Sequence, residues 1–233
     1  MNQFPTALIT GASAGLGRAL SRSLAEKGWR IIGTARGAER LDLLRDELGP
    51  TFVPVVGDVT DPTHRGKLID PVRQFGRLDL VVNNASALGP SPMPRLSKYP
   101  LDELTKVFEA NVVAPLAVLQ LTLPQLRASG GIAIDISSDA AVSPYEGWGG
   151  YGSSKAALDH LTAILAAENP DLPVYSFDPG DMRTAMHQAA FPGEDISDRP
   201  EPETVVPALL ELIDRRPPSG RYIAADLLSG AAR

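Results

Sequence analysis

The run Tyr151-Gly-Ser-Ser-Lys155 sets a phenol and an ammonium one helical turn apart, on the same face of any helix that carries them. A free tyrosine titrates at about 10. A nearby cation favours the phenolate, and so brings the group closer to use as a general acid or base. Taken alone, this pattern is more often a structural helix pair than a proton-transfer device. Two residues upstream add to it. Ser138 follows an apolar run, and the loop from there to Tyr151 can fold back so that both hydroxyls meet one carbonyl oxygen. Asn111 lies in Phe108-Glu-Ala-Asn-Val112, where a side-chain amide among apolar neighbours is costly without partners. A capping or interhelical hydrogen bond is the other reading of Asn111.

A second group of residues suits an anion. Thr10-Gly-Ala-Ser-Ala-Gly-Leu-Gly17 falls between an apolar run and an amphipathic one. Gly11 can take the tight turn, Gly15 lets a pyrophosphate approach the backbone, and Gly17 permits close helix-to-strand packing. Ser13, Ala14 and Leu16 complete a helix start whose free N–H groups and dipole favour phosphate. An ordinary glycine-rich turn remains the plainer alternative. In a dinucleotide fold the end of the second strand meets the adenosine ribose, where a carboxylate holds a free 2′-hydroxyl. Here that strand ends Gly33-Thr34-Ala35-Arg36, and the first acidic residue beyond is Glu39. Arg36 is therefore placed for a 2′-phosphate, with Arg18 able to assist, which favours NADP and leaves NAD possible. A merely solvated helix-start arginine is the competing reading of Arg36.

These residues need a frame, and the periodicity supplies one. Short apolar runs at 7–10, 30–35, 52–56, 78–82, 131–137, 174–178 and 221–224 read as strands. Amphipathic runs at 15–27, 37–48, 61–75, 102–127, 151–168 and 203–214 read as helices, with Pro115 and Pro124 expected to disturb the long one. Strand–helix alternation predicts right-handed βαβ units: an α/β, doubly wound Rossmann fold. The expectation is one domain over 1–233, a parallel seven-stranded sheet with helices on both faces in a three-layer sandwich. Each chemical motif falls at the carboxyl end of a strand, where such sheets bind ligands.

Composition narrows the chemistry. There is no cysteine, which excludes thiolate catalysis, disulfides and cysteine-ligated metal. His64, His160 and His187 share no ligand spacing, so no metal is expected. A net charge of -6 argues against nucleic acid as a partner. Neither a basic-then-apolar start nor a run approaching about 18 apolar residues occurs, so no signal peptide, no membrane and a cytoplasmic location are expected.

Over nearly its whole length the chain resembles the short-chain dehydrogenase/reductase family. The matching segments, in the family's order, are the glycine turn at 10–17, Asp58-Val59, Asn83-Asn84-Ala85, Asn111, Ser138, Tyr151 with Lys155, and Pro179-Gly180 followed by Thr184. The resemblance implies an NADP(H)-dependent oxidoreductase that moves a hydride between the nicotinamide and a carbonyl or secondary alcohol of a small organic substrate. It implies a tetrad in which Tyr151 exchanges the proton, Lys155 holds the nicotinamide ribose and lowers the tyrosine pKa, Ser138 orients the substrate oxygen, and Asn111 retains a relaying water. Ser138 and Tyr151 resemble donors to a developing alkoxide, worth roughly 3–4 kcal/mol each. It further implies that Asp58 and Val59 contact the adenine, Asn84 and Ala85 the ribose through their backbone, and Pro179, Gly180, Met182 and Thr184 the nicotinamide. Ser86 stands where the family most often has glycine, and reads as tolerated. The Asp-Gly that commonly closes the last turn is missing after Gly220, which points to a homodimer through the helices at 102–127 and 151–168, with a tetramer possible. Residues 87–99, 143–148 and 185–200 are expected to choose the substrate. A catalytically silent NAD(P)-sensing binding protein is the alternative function, and a structural subunit supporting a catalytic partner is a third.

Overall fold

The computed structural model describes residues 4–230. Seven parallel strands form one sheet: β1 (Thr6–Thr10), β2 (Arg30–Ala35), β3 (Phe52–Val56), β4 (Leu80–Asn83), β5 (Ile132–Ile136), β6 (Val174–Asp178) and β7 (Gly220–Ile223). Their order is β3-β2-β1-β4-β5-β6-β7. It reverses between β1 and β4, and the crevice beyond their carboxyl ends is where ligands of such sheets sit. Pro54 lies within β3, an edge strand, where a missing N–H costs the ladder least.

Strand residues alternate between two apolar layers. Ile9, Val82, Ile134 and Phe177 face one layer, which includes α1 (Gly15–Glu26), α2 (Ala38–Leu48) and α9 (Val206–Arg215). Leu8, Val81, Ala133 and Val174 face the other, with α6 (Ala114–Ser129) and α7 (Gly149–Glu168). This is the doubly wound, three-layer architecture that the alternation predicts.

The helices depart from expectation in four places. The expected 61–75 helix is two pieces, α3 (Pro62–Lys67) and α4 (Ile69–Phe75), hinged at Leu68; Asp61 caps the first by accepting from the Thr63 N–H. The expected 102–127 helix runs as α5 (Leu101–Phe108), a widened π-type turn at Glu109–Val113, and α6. Pro115 has no N–H to offer the carbonyl four residues back, which is that of Asn111, and a wide turn lets the ladder resume beyond it. Together these pieces make one rod, Leu101–Ser129, long and apolar enough to cross a membrane by length and composition. Counting unbroken apolar runs had missed it, and here Val118, Leu119 and Leu126 bury one side of it against the sheet. Two short helices were not foreseen, α8 (Ala185–Ala190) and α10 (Ala224–Ser229).

Candidate active site

The glycine turn is built as the residue types require. Gly11 has φ +66 and Gly15 φ +51, both in the left-handed region. A Cβ on Gly17 would lie 2.5 Å from the Gly11 carbonyl oxygen and 2.6 Å from Asn84 Nδ2, so only glycine fits. The first turn of α1 has no side-chain cap and no acidic residue; Ala14 stands at the cap position. Its N–H groups are therefore free for an anion. Thr10 ties this turn to β4: its hydroxyl accepts from the Asn84 and Ala85 N–H groups, both at 3.0 Å. Those two amides are committed within the protein, so a backbone contact from Asn84 or Ala85 to a ribose falls to the carbonyls. Asn84 Nδ2 donates to the Thr10 and Gly11 carbonyls at 3.0 and 3.2 Å.

A cleft of about 460 Å³ opens beside this turn, lined by Ser13–Gly15, Arg18, Arg40, Arg183 and Thr184 among others. The free helix start and the glycine cradle fit a phosphate-bearing dinucleotide, with Arg40 the cation in the cleft that has no ion pair among the described residues; Arg18 and Arg183 are held by Glu47 and Glu201, and Glu201 and Glu203 line the cleft too. Arg36 is 82% exposed and leans toward Asp58 at 3.9 Å. It stands near the cleft without lining it, whereas Arg40, one helical turn on, and Arg183 do line it. Both were missed in the sequence, Arg40 for looking like any helix-surface charge. Asp58 accepts from the Thr60 N–H and hydroxyl, and Arg65 donates to the Val59 and Thr60 carbonyls, so the Asp58-Val59 corner is held from within. On the far wall Thr184 caps α8, accepting from the His187 N–H at 3.1 Å, while its methyl group faces Gly15. Pro179 and Met182 are half-buried and Gly180 exposed; the Gly180 N–H donates to Asp178.

Tyr151 and Lys155 start α7 on one face, as their spacing requires, and Ser138 follows β5 beside them. Tyr151 is 9% exposed and Lys155 2%. The lysine Nζ donates to the Ile136 carbonyl at 2.6 Å and lies 5.6 Å from the tyrosine ring centre. Burial pushes the Tyr151 phenol up to about 12, although Ser138 and Ser86 hydroxyls pull it the other way. Burial pulls Lys155 down to about 8 against the opposing pull of Asp135 and Asp159. The expectation that the lysine lowers the tyrosine pKa is therefore not met: burial dominates, and the ammonium is turned toward a backbone carbonyl.

Asn111 is fully buried and fully partnered. Its Oδ1 accepts from the Ala87 N–H at 2.7 Å and the Ser86 hydroxyl at 3.1 Å; its Nδ2 donates to the Ala87 carbonyl and to Ser154 Oγ, both at 2.9 Å. The side chain thus pins the wide turn to the β4 loop and to α7. Any hold on a water is left to its backbone. Ser86, which the sequence marked only as a tolerated change from glycine, joins this network and reaches the phenol as well.

A cluster on the last strand was also missed. Arg221 Nη2 donates to Asp178 at 2.7 Å and to the Ser138 carbonyl at 3.0 Å, and its Nε donates to Asp159 at 3.0 Å. One guanidinium thereby clamps β6, the serine loop and α7 together. Below it the buried Asp135 accepts from Asn83 and Thr162, and burial raises its carboxyl above the usual range.

Comparison with known proteins agrees with this geometry. A family model described as short chain dehydrogenase matches residues 5–195. The chain is 38% identical to serine 3-dehydrogenase of Rhizobium radiobacter, over 75% of this chain and 71% of that one. It is 35% identical to a benzil reductase ((S)-benzoin forming) of Saccharomyces cerevisiae, over 88% of this chain and 79% of that one. Among solved structures, an alcohol dehydrogenase of the archaeon Thermococcus sibiricus complexed with 5-hydroxy-NADP superposes with a TM-score of 0.85 at 27% identity, covering 94% of this chain and 95% of that one.

Proposed function

The chain belongs to the short-chain dehydrogenase family, and from that premise we propose that it performs reversible, NADP(H)-dependent hydride transfer between the nicotinamide and a carbonyl or secondary alcohol of a small organic substrate. The observation that carries this reading is the convergence of Tyr151, Ser138 and Lys155 at the carboxyl end of β5, beside the uncapped start of α1. Relatives and neighbours are dehydrogenases and reductases, and one of them was solved with an NADP derivative.

When bound, the nicotinamide supplies or accepts the hydride. Everything else falls to the chain. With a pKa of about 12, the phenol of Tyr151 is protonated at neutral pH and ready to donate as a carbonyl oxygen gains charge. Ser138 offers a second hydroxyl to that oxygen once it leaves Asp139, to which it donates at 3.0 Å. Lys155, which donates to the Ile136 carbonyl, is the residue that would hold the nicotinamide ribose, and its charge there would ease the loss of the phenolic proton. Asn111 fixes the geometry by joining the β4 loop to α7. Arg40 in the cleft, with Arg36 at the rim, favours the 2′-phosphate of NADP. Exposed Leu101, Val113, Leu121 and Ile164 on the α5–α6 rod and α7 support a homodimer, which light scattering would test, and we place the protein in the cytoplasm.

The test is NADPH consumption on a panel of aldehydes and ketones, with wild type, Tyr151→Phe and Arg36→Ala/Arg40→Ala. Turnover that disappears in the first variant, and a preference for NADPH over NADH that shrinks in the second, are expected. A full rate in Tyr151→Phe would refute the assignment.

A further inference from the structure

Resting on that reading, we propose that the substrate is a neutral carbonyl compound with an aromatic ring next to the reacting carbon, and that the ring is seated against the half-buried faces of Trp148 and Phe191. Any substrate that reaches the Tyr151 hydroxyl must meet the cluster packed against it. That cluster consists of Leu88, Met93, Trp148, Met186, Ala190 and Phe191, with Ala140 and Ala189 at its edges. Its parts come from three separate segments. The 88–93 loop and α8 are joined over the site by the Ser91 hydroxyl, which donates to the Ala189 carbonyl at 2.6 Å.

The rings are arranged to take another ring. Trp148 stands edge-on to Tyr151, centres 5.8 Å apart at 71°, and tilted to Phe191, 5.9 Å apart at 51°. Both Trp148 and Phe191 are only half-buried, so apolar ring surface remains to be covered. An aryl group bound there keeps offset or edge contacts with both. Two methionines in the wall adapt to its outline.

Charge points the same way. The arginines around the site are already paired: Arg221 with Asp178 and Asp159, Arg183 with Glu201, Arg199 with Asp181 and Asp198, and Arg95 with Glu146. The carboxylates of Asp178 and Asp139 act on the phenol as negative charges. A substrate carboxylate beside the phenol would meet these two negative charges, and Lys155 is committed by the reading to the ribose. Desolvating a charge without a partner is costly, so anionic and zwitterionic substrates are disfavoured.

A matched series isolates the ring: 1-phenyl-1,2-propanedione, 2,3-butanedione and pyruvate share a ketone beside a second carbonyl and differ in one substituent. Reduction with NADPH is expected to give a kcat/KM at least about tenfold higher for the aryl compound than for butanedione, the scale of one buried apolar group. Pyruvate should not be turned over. In Trp148→Ala and Phe191→Ala the aryl-to-methyl ratio should collapse toward one. The second readout needs no cofactor. 1-Phenyl-1,2-propanedione added to the wild-type protein should quench Trp148 fluorescence saturably, and the effect should be absent in Trp148→Phe, where Trp29 serves as reference. Pyruvate turned over as well as the aryl compound, or a ratio of one in wild type, overturns the inference and leaves the oxidoreductase reading standing. Saturable quenching with no carbonyl reduced in any arm sinks that reading and keeps the aryl site. Neither turnover nor quenching sinks both.

Discussion

Lys155 is buried at a cost, and that cost can be measured. Its pKa falls from 10.5 to about 8. At about 1.36 kcal/mol per unit, holding the ammonium inside the ligand-free protein costs about 3 kcal/mol at neutral pH. With the side chain 2% exposed, no solvent discount applies. Lys155→Met removes the charge but also the charge-assisted bond to the Ile136 carbonyl, worth about 2 kcal/mol. The variant should therefore be more stable than wild type by about 1 kcal/mol at pH 7, a Tm rise of about 2–4 °C for a chain of this size. The sign of the pH dependence is specific. Below pH 8 folded and unfolded chains both carry the proton and the full cost is present. Between pH 8 and 10.5 the folded protein releases it while the unfolded chain keeps it, so wild-type stability rises and the advantage of the variant disappears. Thermal melts of both ligand-free proteins at several pH values across this window are the assay. A variant less stable than wild type at pH 7, or an advantage that does not change with pH, would refute the account of this lysine as a desolvated cation.

Three further outcomes are expected. Tyr151→Phe should lose about 10²–10⁴-fold in kcat/KM with nucleotide affinity intact, and the ultraviolet difference titration between the two proteins should place the missing phenol near pH 12 rather than 10. Arg221→Met leaves Asp178, 4% exposed, and Asp159 without their cation, and should cost about 3 kcal/mol in urea unfolding, with Arg221→Lys recovering part of it. Gly17→Ala puts a Cβ against the Gly11 carbonyl and Asn84, so nucleotide binding by calorimetry should vanish while the far-ultraviolet dichroism of the fold is kept.

What the sequence made legible was local. The glycine turn, the strand runs and the tyrosine–lysine spacing each span a few residues, and the backbone period decides which side chains share a face. What it hid depends on meetings between distant segments. Arg221 acquires its partners across 43 to 83 residues of chain, and no spacing rule reaches that far. Ser86 looked like a neutral change because its two partners, Asn111 and Tyr151, come together only once the wide turn at Glu109–Val113 and α7 are packed. The tyrosine pKa came out opposite to expectation for a related reason: spacing tells which residues are neighbours, and burial has to be read from the fold. The split at Leu68 and the short α8 carry too few residues for a period to register.

The bare start of α1 has a consequence for how long the protein lasts. A helix end whose donors wait for an anion makes the folded state depend on what occupies it. Nucleotide at a hundred times its dissociation constant would add about 2.7 kcal/mol by mass action alone. A dinucleotide seated at that helix start would thereby also lower the share of chains open to a protease.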